Sequence, residues 1–192
     1  MARLLRLLTL LLLAVSLGAH AAADRPRIGL VLGGGGARGA AHIGVLELLE
    51  ELRVPVDCVA GTSMGALVAG AFAAGLTPAE MRQRLGEADW PDMFNDLPDF
   101  DEINLRRREV LRKFIPGSET GVKGDGLTYQ SGVVDGQKIK LFLNRLVGDS
   151  RGERLIENLA LPLSIIATDI GNGDRVVYRQ GSLTAAMRAS MS

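Results

Sequence analysis

Charge of one sign, cysteine, histidine and long apolar runs are all scarce in this sequence. Its 22 basic residues balance 22 acidic ones, so the chain has no global attraction for polyanions and nucleic acid is not an expected partner. Cys58 is the single cysteine, which excludes an internal disulfide framework. It sits in an apolar stretch and is expected as a small core residue, with a bridge to another chain as the alternative. No internal repeat or low-complexity tract appears. With 192 residues, 47% of them hydrophobic, one domain with one sizeable core is the expectation.

The longest apolar run, residues 7–17, follows Arg3 and Arg6 and precedes Gly18-Ala19-His20-Ala21-Ala22-Ala23. That basic, apolar and small-residue order predicts a secretory signal peptide at 1–23, cleaved after Ala21 or Ala23. A membrane anchor is the competing reading, but the run is shorter than the roughly 20 residues a bilayer needs. Export places the mature chain in the periplasm, at the outer membrane or outside the cell. Losing Arg3 and Arg6 leaves 20 basic against 22 acidic residues, a formal charge of −2.

The mature chain, 24–192, alternates strand and helix signals. Residues 27–32 form a short apolar run without alternation, as in a strand of a parallel sheet buried on both faces. Ile43, Leu46, Leu49 and Leu52 recur at helical spacing over 39–52, and 54–60 returns as a second strand. Residues 66–75 are small and apolar all round, which predicts a central helix. Thr77-Pro78-Ala79-Glu80 opens the next helix with a cap, a first-turn proline and an acid at its third position. Between 89 and 126 the pattern weakens into an excursion with one charged helix, 103–114. Arg106, Arg107, Arg108, Arg112 and Lys113 on that helix suit either a solvated face or an anionic lipid surface. A helix at 137–147, strands at 163–168 and 175–179 and a helix from 183 complete the order. The fold class predicted is α/β, a central mostly parallel sheet with helices on both faces in three layers.

Two glycine motifs carry chemistry. Gly61-Thr62-Ser63-Met64-Gly65 lies between a strand and a helix, where a tight turn lifts a serine above the sheet edge and glycines avoid collision. Ser63 is the candidate nucleophile; the competing reading is a glycine-rich helix start capped by Ser63. Gly33-Gly34-Gly35-Gly36-Ala37-Arg38-Gly39 joins the first strand to the first helix and can aim backbone N–H groups at an oxyanion. Both motifs are expected at the carboxyl edge of the sheet.

A serine needs a group to take its proton. His42 is the only histidine after the leader and it precedes Ser63, so the order Ser, acid, His is excluded within the chain. A Ser-Asp dyad is the economical alternative. His42 serves as base only if its helix faces Ser63; a packed or partly exposed residue is the other reading. Gly34, Gly36 and Gly39 also match a dinucleotide fingerprint, making a nucleotide-binding module the alternative function, but the second strand ends without the acid that holds a ribose, and Asp57 lies at mid-strand. No Lys-Ser or Lys-Thr closes the loop as in a P-loop.

The pair of motifs resembles the patatin-like phospholipase family, and the likeness extends to Val133-Val134-Asp135-Gly136-Gln137-Lys138, Ala167-Thr168-Asp169 and the stretch Ala185-Ala186-Met187-Arg188-Ala189-Ser190-Met191-Ser192. The resemblance implies a Ser-Asp dyad without metal or cofactor, acting on phospholipids or other fatty acyl esters; contact with a membrane surface is the separate expectation that the 103–114 helix leaves open. Ser63 is then the nucleophile. Gly34, Gly35 and Gly36 form the oxyanion hole, and Arg38, Gly39, Gly61 and Gly65 support the loops. Arg38 either steadies its loop or faces a lipid phosphate. The family's catalytic aspartate stands in an Asp-Gly-Gly or Asp-Gly-Ala motif, expected beyond Ser192, so the domain is expected to be incomplete at its C-terminus. Asp125 and Asp135 lack the third small residue, and Asp169 is expected to cap a turn. An inactive lipid-binding module is a further alternative, and some secreted relatives continue into a transporter barrel.

Overall fold

The structure is a computed structural model, and it describes residues 25–93, 103–113, 120–123, 126–129, 136–148 and 152–191. The expected leader, Asp125, Asp135 and Ser192 lie outside the described residues. Six strands occur among them: β1 (Gly29–Leu32), β2 (Cys58–Thr62), β3 (Thr120–Lys123), β4 (Gly126–Tyr129), β5 (Leu163–Thr168) and β6 (Arg175–Tyr178). The helices are α1 (Ala41–Glu51), α2 (Met64–Ala73), α3 (Pro78–Gly86), the single turn α4 (Trp90–Met93), α5 (Leu105–Lys113), α6 (Gln137–Val147) and α7 (Leu183–Met191). A 3-10 turn at Gly36–Ala40 leads into α1.

The main sheet has the order β1-β2-β5-β6. β1, β2 and β5 run parallel, and β6 returns antiparallel to β5 as a hairpin. The sheet is therefore mixed and mostly parallel, as its apolar strands predict. Each step from β1 to β2 to β5 moves the same way across the sheet, so right-handed crossovers place the connecting helices on the same face. α2 packs there against β1, β2 and β5, and α7 packs on α2 and β5.

Nine of the ten residues of α2 are buried, which explains a helix with no polar stripe: it is walled by the sheet beneath and by α1, α3, α6 and α7 around it. Leu67 and Val68 of α2 and Ile165 of β5 are fully enclosed, and each contributes roughly 2 kcal/mol by leaving water. α3 begins on the predicted cap. The Glu80 N–H donates to Thr77 Oγ1 at 3.2 Å and the Thr77 N–H donates to Glu80 Oε2 at 2.8 Å.

The opposite face of the sheet is uncovered among the described residues. Val31 on β1 is 77% exposed, and Cys58 is exposed as well, contrary to its expected place in the core. The cause is the strand's period of two: Val59 and Gly61 are the buried positions of β2, so Cys58 points the other way. β2 also starts and ends later than the sequence predicts, since its pairing begins with Cys58 opposite Gly29 of β1 and ends with Thr62 opposite Ile166 of β5. Asp57 consequently stands before the strand, not within it. The β3–β4 hairpin was not signalled in the sequence; each of its strands carries a glycine and no apolar run to mark it.

Candidate active site

β2 delivers Ser63 to the carboxyl edge of the sheet, directly before α2. Ser63 has φ 52° and ψ −125°, and its side chain makes no capping hydrogen bond. A non-glycine residue at this dihedral pair is strained, costing about 1–3 kcal/mol, and persists only where its surroundings hold it. The reading of Ser63 as a helix cap does not fit this geometry. The Ala66 and Leu67 N–H groups donate instead to the Ser63 carbonyl, at 2.8 and 3.1 Å. The half-buried serine hydroxyl makes no hydrogen bond to the helix and stands at the N-terminus of a buried helix, where the helix dipole favours negative charge.

Steric demand explains the glycines of the motif. A Cβ at Gly65 would press into the carbonyl oxygen of Leu32 and come within 2.5 Å of that of Gly33. A Cβ at Gly61 would come within 2.7 Å of the Ala66 Cα. α2 thus lies against the backbone of β1 and β2 at a distance no side chain permits.

The glycine turn meets this elbow because β1 and β2 pair in register up to Leu32 and Gly61. A Cβ on Gly34 would lie 3.3 Å from the Ser63 Cβ and 3.3 Å from Thr62 Cγ2, so the turn rests on the serine itself. Gly35 at φ 152° and Gly36 at φ 56° take conformations that L side chains rarely adopt. The N–H groups of Gly34 and Gly35 donate to no backbone carbonyl among the described residues. Gly39 is buried, and Arg38 stands exposed with its own N–H closing the turn onto the Gly35 carbonyl at 3.2 Å.

Four further contacts hold the edge together. The Ser63 N–H donates to Ser190 Oγ of α7 at 2.7 Å, and that hydroxyl in turn donates to the Ile166 carbonyl of β5. The Thr62 hydroxyl donates to the same carbonyl at 3.0 Å. His42 Nε2 lies 2.9 Å from the Gly33 carbonyl oxygen, tying α1 to the glycine turn. In the sequence Ser190 stands out only as part of the stretch Ala185–Ser192; its contact spans 127 residues of chain and only the packing of α7 on α2 reveals it.

Among the described residues, Asp169 and Asp57 are engaged away from Ser63. Asp169 Oδ1 accepts from the Gly171 N–H at 2.8 Å, and the Asp169 and Gly173 N–H groups close the β5–β6 turn, as expected of a turn cap. Asp57 accepts from Arg25 at 2.8 Å and from the Ile28 N–H at 2.7 Å. Arg25 first, then the Ile28 N–H, hold its carboxyl at about 2, below the usual 3.8. It lies at the far end of β2, roughly 20 Å of strand from Ser63.

A mostly parallel sheet whose second strand turns through a strained serine, against a glycine turn from the first strand, defines a protein of the α/β class. A family model described as patatin-like phospholipase matches residues 30–192, and the chain belongs to this family. It is 40% identical over 166 residues to a patatin-like phospholipase domain-containing protein of Caenorhabditis elegans, covering 86% of this chain and 10% of that protein. An uncharacterized NTE family protein of Mycobacterium tuberculosis is 35% identical over 168 residues, covering 87% and 38%. Patatin-like phospholipase domain-containing protein 6 of Mus musculus is 34% identical over 166 residues, covering 86% and 10%. The chain thus spans between a tenth and two fifths of the length of these relatives. Among solved structures, ExoU in complex with SpcU, from the type III secretion system of Pseudomonas aeruginosa, shares the fold with a TM-score of 0.54 at 19% identity, covering 88% of this chain and 39% of that one.

Proposed function

We propose that this chain carries the nucleophile and oxyanion hole of a lipid acyl hydrolase acting on phospholipids or other fatty acyl esters. The observation that supports this most is the dihedral pair of Ser63, strained where a capping serine would be relaxed. In this reading Ser63 Oγ attacks the ester carbonyl and gives its proton to a base. The carbonyl oxygen becomes an oxyanion, received by N–H groups of the Gly34, Gly35 and Gly36 turn, a contribution on the order of 3–4 kcal/mol per donor. Collapse expels the alcohol, and water then releases the fatty acid from the acyl-serine.

The base is an aspartate supplied beyond Ser192, forming the Ser-Asp dyad that the family resemblance implies. His42 is engaged with the Gly33 carbonyl and Asp169 with its own turn, which favours that assignment over either residue. Arg38, exposed beside the turn, steadies it or meets a lipid phosphate. Residues 1–23 act as an export signal, so the enzyme works in the periplasm, at the outer membrane or outside the cell.

The test is hydrolysis of short-chain p-nitrophenyl esters. The 192-residue chain should be inactive, extension through the following Asp-Gly motif should confer turnover, and Ser63→Ala in the extended protein should abolish it. Turnover by the Ser63→Ala protein equal to its parent would sink the assignment. Fluorophosphonate labelling that spares Ser63 in an active extended protein would do the same.

A further inference from the structure

A pocket of about 270 Å³ opens between the Gly36–Ala40 turn, α1, the C-terminal end of α3 and Trp90. It shares two walls with the elbow: Gly36 belongs to the turn that rests on Ser63, and Met64 follows Ser63 in the chain. Ala37, Ile43 and Leu85 supply apolar lining. Trp90 is fixed there by its indole N–H, which donates to the Leu85 carbonyl at 3.1 Å, and by an edge-on contact with Phe142 at 5.8 Å between ring centres. Arg82 is the one charged residue in the wall, and its guanidinium is paired with the Glu47 carboxylate, Nε to Oε1 at 2.8 Å.

We infer that this pocket receives the acyl chain of the ester, and that Gly86 and Trp90 at its α3 end set the chain length accepted. The inference rests on the acyl-hydrolase reading and adds the location of its specificity. The lining argues for hydrocarbon, because its one charged side chain is paired with Glu47 and its other side chains are apolar. The volume argues for one chain, since whole drug-sized ligands fill about 300–1,000 Å³. A larger hollow of about 460 Å³ lies on the uncovered sheet face, lined by Gly29, Cys58 and Arg179 among others, and touches neither the glycine turn nor the elbow.

Trp90 is the only tryptophan of the chain, so its emission reports this pocket alone. The 192-residue protein is titrated with sodium hexanoate, octanoate, decanoate and dodecanoate below their micelle concentrations. Saturable blue shifts are expected, with affinity rising roughly tenfold for each added pair of carbons that still fits, then levelling when the pocket is full. Gly86→Phe should move the levelling point to a shorter chain. A Cβ at Gly86 meets nothing within 4 Å, and phenylalanine is the better helix former. Should circular dichroism show this variant unfolded, Ala40→Leu at the opposite rim, where Ala40 is exposed, gives the same reading.

Ser63→Ala should bind like its parent, so failure of the pocket and failure of the nucleophile are read separately. Emission that does not saturate would overturn the inference. So would affinity that climbs with chain length identically in the parent and a folded filled variant, the behaviour of adsorption to exposed apolar surface.

Discussion

The two ends of the same parallel strands are built on different terms. At the carboxyl edge, backbone meets backbone: Gly65 lies under the carbonyls of Leu32 and Gly33, Gly34 rests on Ser63, and Ser63 takes φ 52°. At the amino edge, β1 and β2 are tied by side-chain charge, with Asp57 bridging Arg25 and the Ile28 N–H. The first arrangement tolerates no added atom and stores strain, whereas the second is exposed and adjustable. Strain kept at one end is consistent with a reactive group there, since relaxed geometry would serve a purely structural turn equally well.

Substitutions at the two ends should separate them. Gly65→Ala is the most severe, because its methyl would overlap the Leu32 carbonyl with no flexible side chain to yield; a loss of about 3 kcal/mol or more in urea denaturation is expected. A loss below about 1 kcal/mol would show that α2 is not held against β1 as described. Ser63→Gly should go the other way, stabilising the fold by about 1–3 kcal/mol as the strain is released. A destabilised Ser63→Gly protein would remove the case for stored strain.

Ser190→Ala leaves the Ser63 N–H without its acceptor and should cost about 1–2 kcal/mol. In the extended active protein it should lower kcat with KM little changed, because the elbow shifts while the acyl pocket stays. Equal kcat for Ser190→Ala and parent would reduce Ser190 to packing. Asp57→Asn is expected to have the smallest effect, visible chiefly as a change in pH dependence. A carboxyl lowered from 3.8 to about 2 in the folded chain adds stability that is present above 3.8 and lost as pH falls through about 2. The variant should therefore lose less stability than its parent across that acid window, and identical acid profiles would deny the bridge its role.

Much of the architecture was legible because it depends on local patterns. The cap at Thr77 and Glu80, the apolar α2, the helix Gln137–Val147 and the strand Leu163–Thr168 all follow from periodicity and turn chemistry. The two glycine motifs likewise announce the carboxyl edge, since close approach leaves glycine as the only residue that fits. The β3–β4 hairpin was illegible, because each of its strands carries a glycine and no apolar run. The exposure of Cys58 was misjudged, because an apolar run does not say which of its faces a second layer covers.

Sequence alone determined the elements of the main sheet and its helices, the parallel order of β1 and β2, and the pairing of a serine elbow with a glycine turn, for these depend on residue types a few positions apart. Only the tertiary structure decided that Gly34 rests on Ser63, that the Ser63 N–H is received by Ser190, that His42 braces Gly33, and that a pocket with the sole tryptophan adjoins the turn. Those contacts join residues from 9 to 127 positions apart. They exist because α2 and α7 pack together on one face of the sheet and α1 packs on α2, and that arrangement is a property of the packing.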